Sequence, residues 1–269
     1  ATDFAHWLYN ETRGQPFYLM ETLKDLLERQ VLHPKRRAEG QWTFAVAAEH
    51  DLGQAVRVPS TVHTVLRSRL NRLSPNAFNM LASGAVLEQQ ISFERLCAIA
   101  NIIEDLALPA LDELISGRLL LEAAQPEFAS TYVFANDMLR DVVYTEAGDA
   151  RRRLFHRRAL ETLEAEEFPA AVLAHHALAA GLVSAAFRHS LVAGREALRI
   201  SAVRESIVHF ERAYQFVQDA SLPDMPDDRE LRDLYTQLGR AYQLSGQWEK
   251  AFAMDAERDR LDGLPSHCS

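Results

Sequence analysis

Cysteine is nearly missing from this 269-residue chain: there are two, Cys97 and Cys268, far apart in the sequence. A disulfide framework is therefore not expected, and a reducing cytoplasm is the natural setting. No apolar run approaches the ~18 residues that a bilayer span needs, and Ala1-Thr2-Asp3 has neither the basic nor the apolar region of a signal peptide. None of the eleven glycines is followed by lysine, so the G-x-x-x-x-G-K-[ST] phosphate cradle is absent. ATP hydrolysis by this polypeptide alone is not expected, and no G-x-S-x-G or Cys/His nucleophile pattern replaces it. Nor do the ten histidines include an H-E-x-x-H; His175-His176 lacks an i, i+4 partner, so no metal site is expected.

Positive charge is also in short supply. The net charge is −9, and residues 73–145 hold three basic residues (Arg95, Arg118, Arg140) against ten acidic ones. A surface that neutralises several phosphates needs clustered Lys and Arg, so DNA binding by this segment is disfavoured. The strongest basic cluster, Arg151-Arg152-Arg153 with Arg157-Arg158, lies opposite a face formed by His156, Ala159, Leu160 and Leu163 and reads as a solvated helix side.

What the chain does have is helical periodicity. Phe4, Trp7 and Leu8 precede a break at Gly14, and Phe17, Met20, Leu23, Leu27 and Val31 continue the period beyond it. Residues 33–59 change character and read as an irregular connector with a short strand pair. Ser60-Thr61 starts a capped helix, Ser74-Pro75 a second and Ser92 a third. Residues 103–116 form a fourth, ended by Gly117 at the C′ position. Leu119–Leu121 and Thr131–Phe134 then flank a loop as a hairpin. Three helices followed by a hairpin is the order of a winged helix. From Asn136 to about Leu261 the chain is helical again, with boundaries at Gly148, Phe168-Pro169, Gly181, Ser201, Pro223–Pro226 and Gly246. Segments of this length in successive pairs suggest a repeat array. Leu238, Gly239, Tyr242, Gly246, Trp248 and Ala251 match the spacing of one tetratricopeptide repeat (TPR). Residues 203–217 are similar to the second helix of another. Trp42, Phe128 and Trp248 are expected to pack in cores or ridges.

The expected class is thus mainly α. It comprises a helical lid at 1–72, a winged-helix-like domain with a small β-hairpin at 73–147, TPR-like repeats at 149–262 and a tail at 263–269.

Three ordered segments carry a family resemblance: Thr12-Arg13-Gly14-Gln15-Pro16-Phe17-Tyr18-Leu19; Arg69-Leu70-x-Arg72-Leu73-Ser74-Pro75; and Phe134-x-x-Asp137-x-Leu139-Arg140-x-x-Val143-Tyr144, with Arg152-x-x-x-His156-x-x-Ala159 after it. Together they resemble the bacterial STAND-class, LuxR-type multidomain ATPase regulators of transcription. The resemblance implies a non-catalytic, signal-sensing part of such a switch, partnered by an upstream nucleotide-binding domain of the same chain. Its repeats would receive an inducer or a partner protein. It further implies that Pro16 would pack against the adenine of ATP or ADP once that domain is attached, with Gly14 letting the backbone approach the nucleotide closely. Asn136 stands where the family often places a phosphate-contacting His; as a neutral donor it would clamp weakly or not at all, and its expected role is to N-cap the following helix. Two other readings are a DNA-binding winged helix and a plain TPR scaffold.

Overall fold

The computed structural model describes residues 62–88, 91–123, 131–219 and 226–263, a strand pair within 30–46, and scattered positions between 4 and 27. Among these residues the chain is mainly α, with eleven helices, and none is long and apolar enough to cross a membrane. It forms two compact units, one of residues 1–90 and 102–146, the other of 91–101 and 147–269.

In the first unit the strands β1 (Leu32–Arg36) and β2 (Trp42–Val46) pair antiparallel, with Leu32 opposite Val46, as the change of periodicity predicts. Leu26, Val31 and Leu32 form a small buried cluster beside them. Met20, which the sequence period places with the apolar residues, is instead 52% exposed.

Helices α1 (Val62–Leu70) and α2 (Pro75–Leu87) follow. Ser74 caps α2 by accepting the Ala77 N–H, and Pro75 occupies the first turn, where its missing N–H costs nothing. In this unit α2 packs against α4 (Glu104–Ser116) and α5 (Asp137–Glu146). The hairpin β4 (Leu120–Glu122) and β5 (Thr131–Phe134) pairs antiparallel, Leu120 opposite Phe134.

One helix end differs from its expected form. Gly117 is the C-cap of α4 with φ −72°, and the left-handed residue is Arg118 at φ 50°. The Leu119 N–H bonds back to the Leu114 carbonyl and the Arg118 N–H to that of Ile115, both at 2.9 Å. This is a complete Schellman closure, displaced one residue beyond the glycine.

The second unit holds the two-residue strand β3 (Ile91–Ser92), helix α3 (Phe93–Ala100) and six helices packed as consecutive neighbours. These are α6 (Asp149–Ala165), α7 (Ala170–Ala179), α8 (Val183–Arg199), α9 (Val203–Gln218), α10 (Asp228–Leu244) and α11 (Trp248–Leu261). α3 packs against α6. Arg158 of α6 donates to the Ile99 carbonyl at the end of α3 (3.1 Å), while Arg95 of α3 pairs with Glu166 (2.6 Å) and lies over the Phe168 ring.

The four connections of the array that are described throughout use one backbone device. Glu167, Gly181, Ser201 and Gly246 all have φ between 58° and 77°. In each case the following N–H (Phe168, Leu182, Ala202, Gln247) reaches back five residues to a helix carbonyl at 2.9–3.0 Å. This Schellman turn reverses the chain within a few residues and brings each helix back alongside its predecessor. The core that α8 to α11 share is built on Phe187, Phe210, Leu234, Leu238, Tyr242 and Met254.

Candidate functional site

The residues of the resemblance divide in two. Gly14 and Pro16 lie outside the described residues, as do Ser60, Thr61 and Phe128. Asn136 is described, and its Oδ1 accepts the Leu139 N–H at 2.8 Å. Its side-chain oxygen therefore caps α5, the role expected of it from the sequence. Arg140 pairs with its neighbour Asp141 at 3.1 Å.

The Arg-Leu-x-Arg-Leu-Ser-Pro segment proves to be a structural junction. Arg69, only 6% exposed, donates through Nη2 to the Gly117 carbonyl at 2.7 Å. Glu113 accepts the Ser74 backbone N–H at 2.9 Å. One helix end receives a cation and the next a carboxylate, the polarity that the helix dipole favours.

In the helix pair α10–α11, Leu238 and Ala251 are fully buried, Gly239 lies against the Met254 side chain and Gly246 makes the left-handed turn. Buried Tyr242 donates its hydroxyl to Glu211 at 2.7 Å, an acceptor shared with Lys250. Burial and the Glu211 carboxylate both raise the Tyr242 pKa, so it stays a phenol. Trp248 departs from expectation. It is 57% exposed, and Phe252 one turn later is 66% exposed, because Ala251 and Met254 take up the buried side of α11.

A cleft of about 510 Å³ opens between α8 and the start of α10. Arg188 and Arg195 line one side and Glu230 and Asp233 the other, paired at 3.1 and 3.3 Å. Leu191 and Val192 supply its apolar floor.

The arrangement least visible in the sequence joins α6 and α7. His156, His175 and His176 each place a ring nitrogen within 4.8 Å of the others, forming a group of potential metal ligands among the described residues. His156 Nδ1 and His176 Nδ1 are 2.9 Å apart and share a hydrogen bond. Both side chains are buried, at 1% and 2% exposure, whereas His175 is exposed. Burial, reinforced by the neighbouring histidines and Arg152, lowers the His156 pKa to about 3. Burial and His175 lower that of His176 to about 4. Both rings are thus neutral at physiological pH.

No i, i+4 spacing marks this group in the sequence, because its members come from two helices. His176 is brought to His156, twenty residues earlier, by the Glu167 turn. The visible signal is His156 at a core position of the period that Ala159, Leu160 and Leu163 share. A buried histidine needs a polar partner, and another helix supplies it.

Compared with known proteins, the chain matches no family model, no curated protein and no solved structure.

Proposed function

We propose that this chain is a non-catalytic regulatory and signal-sensing part of a cytoplasmic STAND-type ATPase switch that controls transcription, its repeats receiving an inducer or partner protein. The observation that supports this most is the run of helices α6 to α11, folded back at four connections by the same left-handed turn. Quasi-regular helix pairs of this kind expose an extended surface and suit recognition better than turnover. The α8–α10 cleft, with both charge signs around an apolar floor, fits a polar ligand or peptide segment. In this reading α1 to α5 with the β4–β5 hairpin form the lid and winged-helix-like portion. Gly14 and Pro16 then meet nucleotide only beside the upstream domain, and a bound signal shifts the closed and open populations of the whole protein.

The test compares this chain with the full product of its gene. ATP and ADP should leave the melting temperature of the 269-residue chain unchanged, while the full-length protein binds one of them. A full-length protein without nucleotide affinity overturns the switch. Separately, Asp233→Arg should weaken capture of the effector that the full-length protein responds to.

A further inference from the structure

We propose that His156, His175 and His176 form a binding site for one divalent transition-metal ion of the zinc class, set between α6 and α7. The donors are three imidazoles, and no thiolate or carboxylate belongs to the group. An all-nitrogen set of this kind suits Zn²⁺, Co²⁺, Ni²⁺ or Cu²⁺, whereas Mg²⁺ and Ca²⁺ require oxygen. Two of the ligands are held in advance. His156 and His176 are both buried and already hold their Nδ1 atoms 2.9 Å apart.

Ligands of a tetrahedral zinc at ~2.0–2.1 Å from the metal sit roughly 3.3 Å apart. The buried pair must therefore open by a few tenths of an ångström. The widest separation in the group, 4.8 Å, must close by about 1.5 Å to reach that spacing. His175 is the exposed member and can swing inward without disturbing the core. Its position at the surface also supplies the entry path. The ion takes the place of the single proton shared by the two Nδ1 atoms. That proton moves to the far nitrogen of its own ring, so the rings remain neutral and no net charge is lost. Three protein ligands leave one tetrahedral position open, for water or for a donor group on an incoming partner. The site joins two successive helices of the array, so its occupancy stiffens that hairpin. This inference does not depend on the switch reading.

Cobalt provides the direct probe, since its visible absorption reports four-coordinate geometry. The untagged 269-residue protein, stripped with chelator, is titrated with Co²⁺ and the bound ion is then displaced with Zn²⁺. One equivalent should produce intense four-coordinate bands that Zn²⁺ abolishes. His175→Gln, at an exposed position that the fold does not need, should reduce affinity ten- to a hundredfold while the chelated protein melts as before. His156→Gln should lower the affinity likewise, and His6→Gln, outside the group, should bind like the parent. Absence of the bands, or equal affinity in His175→Gln and the parent, overturns the proposal.

Discussion

Gly194 on α8 and Phe210 on α9 meet without room for one more carbon: a Cβ at position 194 would lie 2.4 Å from Cε1 of the Phe210 ring. Phe210 is fully buried and cannot swing away. Glycine in mid-helix normally costs about 1 kcal/mol relative to alanine, so its presence in α8 reflects this helix contact. Gly194→Ala is expected to destabilise the protein by about 1–2 kcal/mol net, the overpacking cost exceeding the gain in helix propensity. Urea unfolding measures it. Phe210→Leu in the Gly194→Ala background should recover part of the loss, and an unchanged or higher midpoint for Gly194→Ala alone would disprove the close contact.

The turn glycines make the opposite case. A Cβ at Gly181 or Gly246 would meet nothing within 4 Å beyond its immediate chain neighbours, yet φ is 76° and 77°. Alanine there is opposed by backbone conformation alone, at a cost of about 1–2 kcal/mol. Ser201 and Glu167 hold the same conformation without being glycine, at φ 62° and 58°. Ser201→Gly and Glu167→Gly should therefore raise stability by a few tenths to 1 kcal/mol, since relief of left-handed strain exceeds the added chain entropy. Thermal melts of the four single variants should split by sign: two lower, two higher.

That contrast marks how far the sequence could be read. The helix boundaries at Phe168-Pro169, Gly181, Ser201 and Gly246 were visible from punctuation, and so were the two strand pairs. Which residue would turn left-handed was not. At the end of α4 a glycine was available, and Arg118 beside it took the conformation, because the register of the last helical carbonyls sets the choice. The histidine group was hidden for a related reason: periodicity reports one helix at a time, while His156 and His176 meet across a pair. Trp248 differs from expectation because Ala251 and Met254, not the aromatic residues, occupy the buried side of α11.

Arg69 and Glu113 test whether the Arg69–Pro75 segment is a structural junction. Arg69→Met keeps the buried stem but removes the charged donor to the Gly117 carbonyl, which should cost about 1.5–3 kcal/mol. Glu113→Gln retains an oxygen for the Ser74 N–H and should cost under about 1 kcal/mol. Denaturant midpoints of the two variants should differ in that order. Equal losses would mean that Arg69 contributes through its stem alone.

Acid should weaken the chelated protein through the buried histidines. The pKa values of His156 and His176 fall in the folded state to about 3 and about 4, from an ordinary 6.5. Above pH 6.5 both the folded and the unfolded forms are neutral at these positions, and stability does not depend on pH through them. As pH falls below 6.5 the unfolded chain takes up protons that the folded core refuses. His176 and His175 face His156 from α7, and Arg152 adds positive charge from its own helix, so each opposes protonation of the pair. Each buried ring then contributes a slope of roughly 1.4 kcal/mol per pH unit, or about 2 kcal/mol lost per ring by pH 5. The loss should level off once the folded pKa values are reached, near pH 4 and then pH 3. Urea midpoints between pH 7.5 and 5, with chelator present, would record the decline. The double variant His156→Leu/His176→Leu should show a shallower one over the same window. If the parent and the double variant decline in parallel, the rings are not held neutral by their burial.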